Sequence, residues 1–137
     1  MKSLDFLFQR YPLFRYIPGI LWMAVIFRAS SIPGTGMGWL VPPFDKLVHG
    51  TTFAVLAAFF GLWFSNARWN SKPLVWAAVC VLFCVLFGVL DEFHQSFVPG
   101  RDASLGDILA DTFGGILGAL AYALCRPWKK FRIFREE

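Results

Sequence analysis

Charge is scarce in this chain. Of 137 residues only 16% are Asp, Glu, Lys or Arg, whereas 57% are hydrophobic, among them sixteen Phe and six Trp. Soluble domains carry about a quarter charged residues, so this composition excludes an ordinary water-soluble fold. Cysteine is also sparse. Cys80 and Cys84 stand one helical turn apart inside an apolar run and Cys125 lies at the far edge of another, which excludes a disulfide framework and leaves them as small apolar side chains. The chain has no CxxC, no phosphate-binding glycine loop, no internal repeat and no low-complexity run. Those absences remove thiol redox motifs, nucleotide-binding loops and repeat architectures.

What is present is hydrophobicity in blocks. Leu47–Phe64 contains His49 as its only ionisable group, and Pro73–Leu90 contains none. Both are eighteen residues long, and about 20 residues at 1.5 Å rise cross the roughly 30 Å hydrocarbon core of a bilayer. Ile108–Cys125 reads as a third span, closed by Arg126, Pro127, Trp128, Lys129 and Lys130 as interfacial anchors. The first block is shorter, because Arg15 and Arg28 bracket only Tyr16–Phe27. It spans if the arginine stems snorkel to the interfaces. A signal peptide is the competing reading, but Arg28-Ala29-Ser30-Ser31 is a poor cleavage site, so a retained first helix is expected. The fold class predicted is all-α: an integral membrane bundle of four transmembrane helices, near residues 13–31, 47–64, 73–95 and 105–125, in a single domain over 1–137 with a basic tail at 126–137.

Four spans place both termini on one side. That side then holds Lys2, Arg10, Arg15, Arg68, Lys72, Arg126, Lys129, Lys130, Arg132 and Arg135, and the other holds only Arg28, Lys46 and Arg101. The positive-inside rule makes the termini cytoplasmic. Asp45, Asp91, Glu92, Asp102, Asp107 and Asp111 all fall on the outer side. The net charge of +4 is therefore read as anchoring to anionic inner-leaflet lipid, and no nucleic-acid partner is expected.

Two outer segments carry the chemistry. "FDKLVHGTTF" opens the second helix, where Asp45 and His49 share a face and Asp45 also suits a helix N-terminus. "GVLDEFHQSFVPGRDASLGDILAD" closes the third helix and opens the fourth. If the helix runs through it, Gln95 lies beside Asp91 and Glu92 while His94 points elsewhere. Pro99 and Gly100 make a turn, and Ser104 with Asp107 three residues later has the form of a capping box. Asp107, Asp111, Gly114 and Gly118 then recur along one helical face, where the glycines let another helix approach closely. Such an approach would carry Asp107 and Asp111 toward His49 and Glu92.

In combination, "DKLVH", "DEFHQSFVPGR" and "SLGDILADTFGGILG" resemble the VanZ-like family of small bacterial membrane proteins, over roughly residues 20–124. The matching positions are Asp45, Lys46, His49, Asp91, Glu92, Gln95, Pro99, Arg101, Asp107, Asp111 and Gly114. Two positions depart from the usual pattern: Asp111 often corresponds to Asn, and Phe53 to Tyr. The resemblance implies a multi-spanning helical protein of the bacterial cytoplasmic membrane, in a family whose founding member is associated with low-level teicoplanin resistance. It brings no established reaction.

Function is therefore argued from the residues. One reading is a site, facing outward, that binds or acts on a lipid-linked cell-envelope molecule, a cell-wall precursor or the glycopeptide itself. In it His49, Glu92 and Asp111 are the acid/base candidates, and Asp45, Lys46, Asp91, Gln95, Arg101 and Asp107 contact the ligand, with Arg101 and Lys46 suited to phosphate or carboxylate. A metal-assisted variant would use His49, Asp91, Glu92 and Asp107, but their spacing matches no established metal signature, so no metal ligand is assigned and no cofactor is specified. No nucleophile with a base at fixed spacing is present, which leaves ligand binding or chemistry by activated water. A second reading is a non-catalytic protein that binds or shields the same molecule, a third a purely structural clasp of ion pairs, and a fourth a transporter. Membrane lipids are the expected surroundings, with the Gly114/Gly118 face available for a homo-oligomer.

Overall fold

The structure, a computed structural model, describes residues 8, 10–34 and 44–126. All regular elements among them are helical. A 3-10 turn at Pro12–Arg15 leads into α1 (Ile17–Ser30), followed by α2 (Phe44–Gly61), a short α3 (Asn66–Ser71), α4 (Pro73–Gln95) and α5 (Leu105–Cys125). The last two coincide with the expected third and fourth helices. Apart from Arg126, the basic tail expected at 126–137 lies outside the described residues, as does Lys2.

The second helix opens at Phe44, as the segment FDKLVHGTTF implied and ahead of the approximate bound at 47, and it ends at Gly61 rather than 64, because an apolar run and a helix need not be the same segment. Asp45 and Lys46 are polar yet helical, whereas Leu62–Phe64 are apolar yet form a turn, with the Trp63 amide bonded to Phe60 O at 3.0 Å. The short α3 was not expected in the loop after it. Ser65 starts it by accepting a hydrogen bond from the Arg68 amide. Trp69 then fixes it, fully buried and donating its Nε1–H to Gly61 O at 2.9 Å.

Pro12–Ser30, Pro73–Gln95 and Leu105–Cys125 are long and apolar enough to cross a membrane. α2 has the length, but its first turn carries Asp45 and Lys46. Lipid as the surrounding solvent explains the outward face of α4, where Leu74, Leu82, Leu86 and Leu90 are 57–79% exposed. In water such a leucine stripe would be an aggregation surface.

α5 packs most extensively on α2 and next on α4, and its glycines make both contacts. A Cβ on Gly114 would lie 1.9 Å from Gly50 O, and one on Gly118 2.0 Å from Ala54 O. The small residues Gly50 and Ala54 on α2 thus meet Gly114 and Gly118 on α5 at the same four-residue spacing. A Cβ on the neighbouring Gly115 would meet Cys84 of α4 at 2.8 Å. The glycine face that the sequence offers to a second copy is therefore occupied within the chain by α2.

Two clusters result. At one end Phe60, Trp63, Phe83, Trp69 and Tyr122 pack ring against ring. The opposite end collects the end of α1, the start of α2, the end of α4 and the start of α5, and with them the acidic residues.

Candidate functional site

Four carboxylate side chains from two helices are withdrawn from solvent at this end: Asp91 and Glu92 on α4, Asp107 and Asp111 on α5, at 4%, 3%, 8% and 0% exposure. Carboxylates this buried need partners, since an uncompensated one strongly destabilises the fold.

Asp91 and Asp107 each find partners on one oxygen, and Asp91 Oδ1 is left buried without one. Asp91 Oδ2 accepts from Ser30 Oγ of α1 and from Gln95 Nε2 one turn along its own helix, both at 2.8 Å. Asp107 Oδ1 receives Lys46 Nζ of α2 at 2.5 Å, and Lys46 also meets Asp45 Oδ2 at 3.1 Å. Lys46 lies in the first turn of α2, ahead of the apolar stretch. Partial burial lowers its pKa, but the hydrogen bonds to Asp107 and Asp45 outweigh this and hold it above the ordinary lysine value.

His49, Glu92 and Asp111 form the centre. His49 Nδ1 lies 3.1 Å from Asp111 Oδ1, and its Nε2 is 3.8 Å from Asp107 Oδ1. Glu92 Oε2 accepts from the Ser104 amide at 2.7 Å. One ligating atom of each of the three residues lies within 4.8 Å of the others. Glu92 Oε1 and Asp111 Oδ2 have no hydrogen-bond partner among the described residues. Asp111 Oδ2 fits against α4 because position 88 is glycine, where a Cβ would stand 2.9 Å from it.

The Ser104–Asp107 capping box is met only in part. Ser104 Oγ does cap α5, accepting from the Gly106 amide at 3.1 Å. Its own amide, which the side chain three residues later would take in a capping box, goes instead to Glu92 of α4. The Asp107 carboxylate is thereby free to reach Lys46. Cap and ion pair together tie three helices.

Arg101 follows the turn in which Gly100 has φ 73°, a left-handed conformation suited to glycine. Its Nε donates to Ile32 O at 3.1 Å and its Nη2 to Ala29 O at 3.3 Å, so the guanidinium closes the end of α1. His94 turns away from the acids, stacking on Phe27 at 4.2 Å and meeting Ser31 Oγ at 3.0 Å. Between the Asp91 arm and the His49 centre is a cavity of about 90 Å³, lined by Ile26, Ser30, His49, Phe53, Asp91 and Arg101 among others. It is large enough for about three waters or one small polar group, at roughly 30 Å³ per water, and far too small for a whole glycopeptide. Phe53 presents only ring carbons to it, the consequence of its departure from Tyr.

Sequence reasoning missed Ser30, Ser31 and Gly88. The two serines were visible as polar residues ending an apolar helix, yet they had meaning only as a poor cleavage site. Gly88 gave no signal, because its role depends on which side chain of another helix faces it.

The sequence profile of the family described as VanZ/LLP1 matches residues 8–126. No curated protein and no solved structure matches the chain.

Proposed function

This chain belongs to the VanZ/LLP1 family, and from that premise we propose that it sits in the bacterial cytoplasmic membrane and engages the polar head of a lipid-linked envelope molecule from the outer face. Four spans with cytoplasmic termini fit the described charges. Arg10, Arg15, Arg68, Lys72 and Arg126 belong to the aromatic end, and Arg28, Lys46 and Arg101 to the acidic end.

The observation that carries this reading is the set of unpartnered buried oxygens Asp91 Oδ1, Glu92 Oε1 and Asp111 Oδ2, gathered around His49 and a small cavity that His49 and Asp91 line. A clasp built only for stability would saturate its acceptors. Here the acids on the interior side retain acceptor capacity, which suits them to hold a ligand's donor or to move a proton to and from it. Lys46 and Arg101 make close contacts inside the chain, so the centre of the site is His49, Glu92 and Asp111, and the other polar residues set its shape. A headgroup, rather than teicoplanin itself, matches the cavity. Altered handling of a wall precursor at the outer leaflet would change access of an acylated glycopeptide.

The test is an isosteric series, His49→Gln, Glu92→Gln and Asp111→Asn, expressed in a susceptible host lacking its own copy. Inhibitory concentration of teicoplanin and amount of folded protein are read together. Folded variants without protection support the site; folded variants that all protect as well as the parent refute it.

A further inference from the structure

The acidic end is short of positive charge. Asp45, Asp91, Glu92, Asp102, Asp107 and Asp111 share this end with Arg28, Lys46, Arg101 and His49, and even with His49 protonated two negative charges remain unbalanced. At an interface with hydrocarbon this imbalance is relieved either by protonating carboxyl groups, whose O–H donors then need acceptors, or by a cation. Proton sharing would join the two innermost acids by a short O–H···O bond. No hydrogen bond joins Glu92 to Asp111. Each instead directs one oxygen at a protein partner, Ser104 N for Glu92 and His49 for Asp111, and leaves its other oxygen without one.

From this geometry we infer that His49, Glu92 and Asp111 bind a divalent transition-metal ion of the zinc or manganese kind. One imidazole and two carboxylates are a donor set suited to those ions. Two ligand atoms at 2.0–2.2 Å from a tetrahedral ion stand about 3.4 Å apart, and His49 Nδ1 and Asp111 Oδ1 are 3.1 Å apart. The third ligand atom is within 4.8 Å, so Glu92 need move inward by only about an ångström, which its rotatable side chain allows. The surroundings of the imidazole also fit. A histidine bound to metal through one nitrogen commonly directs the other at a carboxylate, and His49 Nε2 faces Asp107 Oδ1 at 3.8 Å, with Asp107 fixed in turn by Lys46. The ligand set differs from the one considered from sequence alone. Asp91 is held by Ser30 and Gln95, Asp107 is an outer partner of His49, and Asp111, one turn deeper, takes the inner place. Three protein ligands leave a coordination position open toward a phosphate or carboxylate, which an acidic pocket would otherwise repel; this part of the inference rests on the headgroup reading above.

The experiment uses the full chain in detergent, stripped with chelator and titrated with Zn²⁺, Mn²⁺ and, as a control, Mg²⁺. Bound metal is measured by elemental analysis and stability by thermal unfolding. One ion per chain, a higher unfolding temperature with Zn²⁺ or Mn²⁺, and its reversal by chelator are expected. Glu92→Gln and Asp111→Asn should lose at least about 100-fold in metal affinity, and Asp107→Asn about 10- to 100-fold as an outer partner. A parent protein that stays metal-free and shows no metal-dependent shift overturns the inference, as do Glu92→Gln and Asp111→Asn variants that bind as tightly as the parent. If metal is absent while the same variants still lose protection against teicoplanin, the metal site falls and the pocket reading stands. If metal binds but folded variants protect fully, the metal site stands and the pocket reading falls.

Discussion

The two ends of the bundle solve the same packing problem in opposite ways. At the aromatic end Trp69, Phe60 and Phe83 fill the space between helices, and the hydrogen bond from the Trp69 ring to Gly61 O sits among rings. Arg126 joins them by lying over the Trp69 ring at 5.4 Å and bonding Asn70. At the acidic end the helices are joined by Ser30–Asp91, Lys46–Asp107, His49–Asp111 and Glu92–Ser104. Dispersion between rings tolerates lipid, water or neither. A group of buried carboxylates tolerates its surroundings only when its charge is balanced. A protein that needed nothing more than a closed bundle could have built both ends like the first. The contrast is the reason the ligand site is proposed at the acidic end.

Breaking the aromatic end should have the largest effect on stability. Trp69→Ala removes a fully buried ring and should cost about 3–5 kcal/mol, read as a lowered unfolding midpoint in mixed detergent. Loss of protection should simply follow loss of folded protein. A variant that folds normally yet loses function would move the site to that end.

The seam linking the two ends comes next. In an exposed helix interior, Gly→Ala gains about 1 kcal/mol. Gly114→Ala should instead cost about 1–3 kcal/mol from overpacking, because its Cβ would meet Gly50 O. The sign decides: a more stable variant would mean that α2 and α5 do not approach so closely in the membrane.

Neutralising the acidic end separates site from clasp. In chelator, Glu92→Gln and Asp111→Asn should change stability by no more than about 1 kcal/mol, upward if anything, because each removes a poorly compensated charge. A loss of about 3–5 kcal/mol, the usual result of breaking a needed buried pair, would show that the end merely holds helices together.

The smallest effect is on the partly exposed Lys46. Its pKa is raised in the folded chain, so its contribution is fully present at neutral pH and is lost as pH rises through the elevated folded value. Lys46→Met should lower stability at neutral pH by up to about 1 kcal/mol and flatten the alkaline limb of the stability–pH curve, so that parent and variant converge as pH rises. An unchanged alkaline limb would show that the pairs to Asp45 and Asp107 contribute nothing measurable.

Much of this was legible in the chain. Apolar length located α4 and α5 to the residue, since Pro73 and Ser104 start them and the turn at Pro99-Gly100 separates them. The convergence of His49 with Asp111 could be anticipated because Gly114 and Gly118 lie on the same face as Asp107 and Asp111. The end of α2 was missed, because hydropathy carries an apolar run past the turn at Leu62–Phe64. The part of Glu92 in capping α5 was missed as well, since a capping box predicts a partner within one helix and this one comes from another.

Composition and periodicity by themselves determined that the protein is helical, that lipid suits its outward faces, and that most of its acids gather at the helix ends on one side. These depend on one residue type at a time or on spacing along one helix, and a sequence records both. Which acid is neutralised by Lys46, which is left with an unpartnered oxygen, and that a glycine at 88 makes room for Asp111 were decided only by tertiary structure. Each depends on distances of a few ångströms between helices far apart in the chain, and burial turns those small distances into large differences in electrostatic energy.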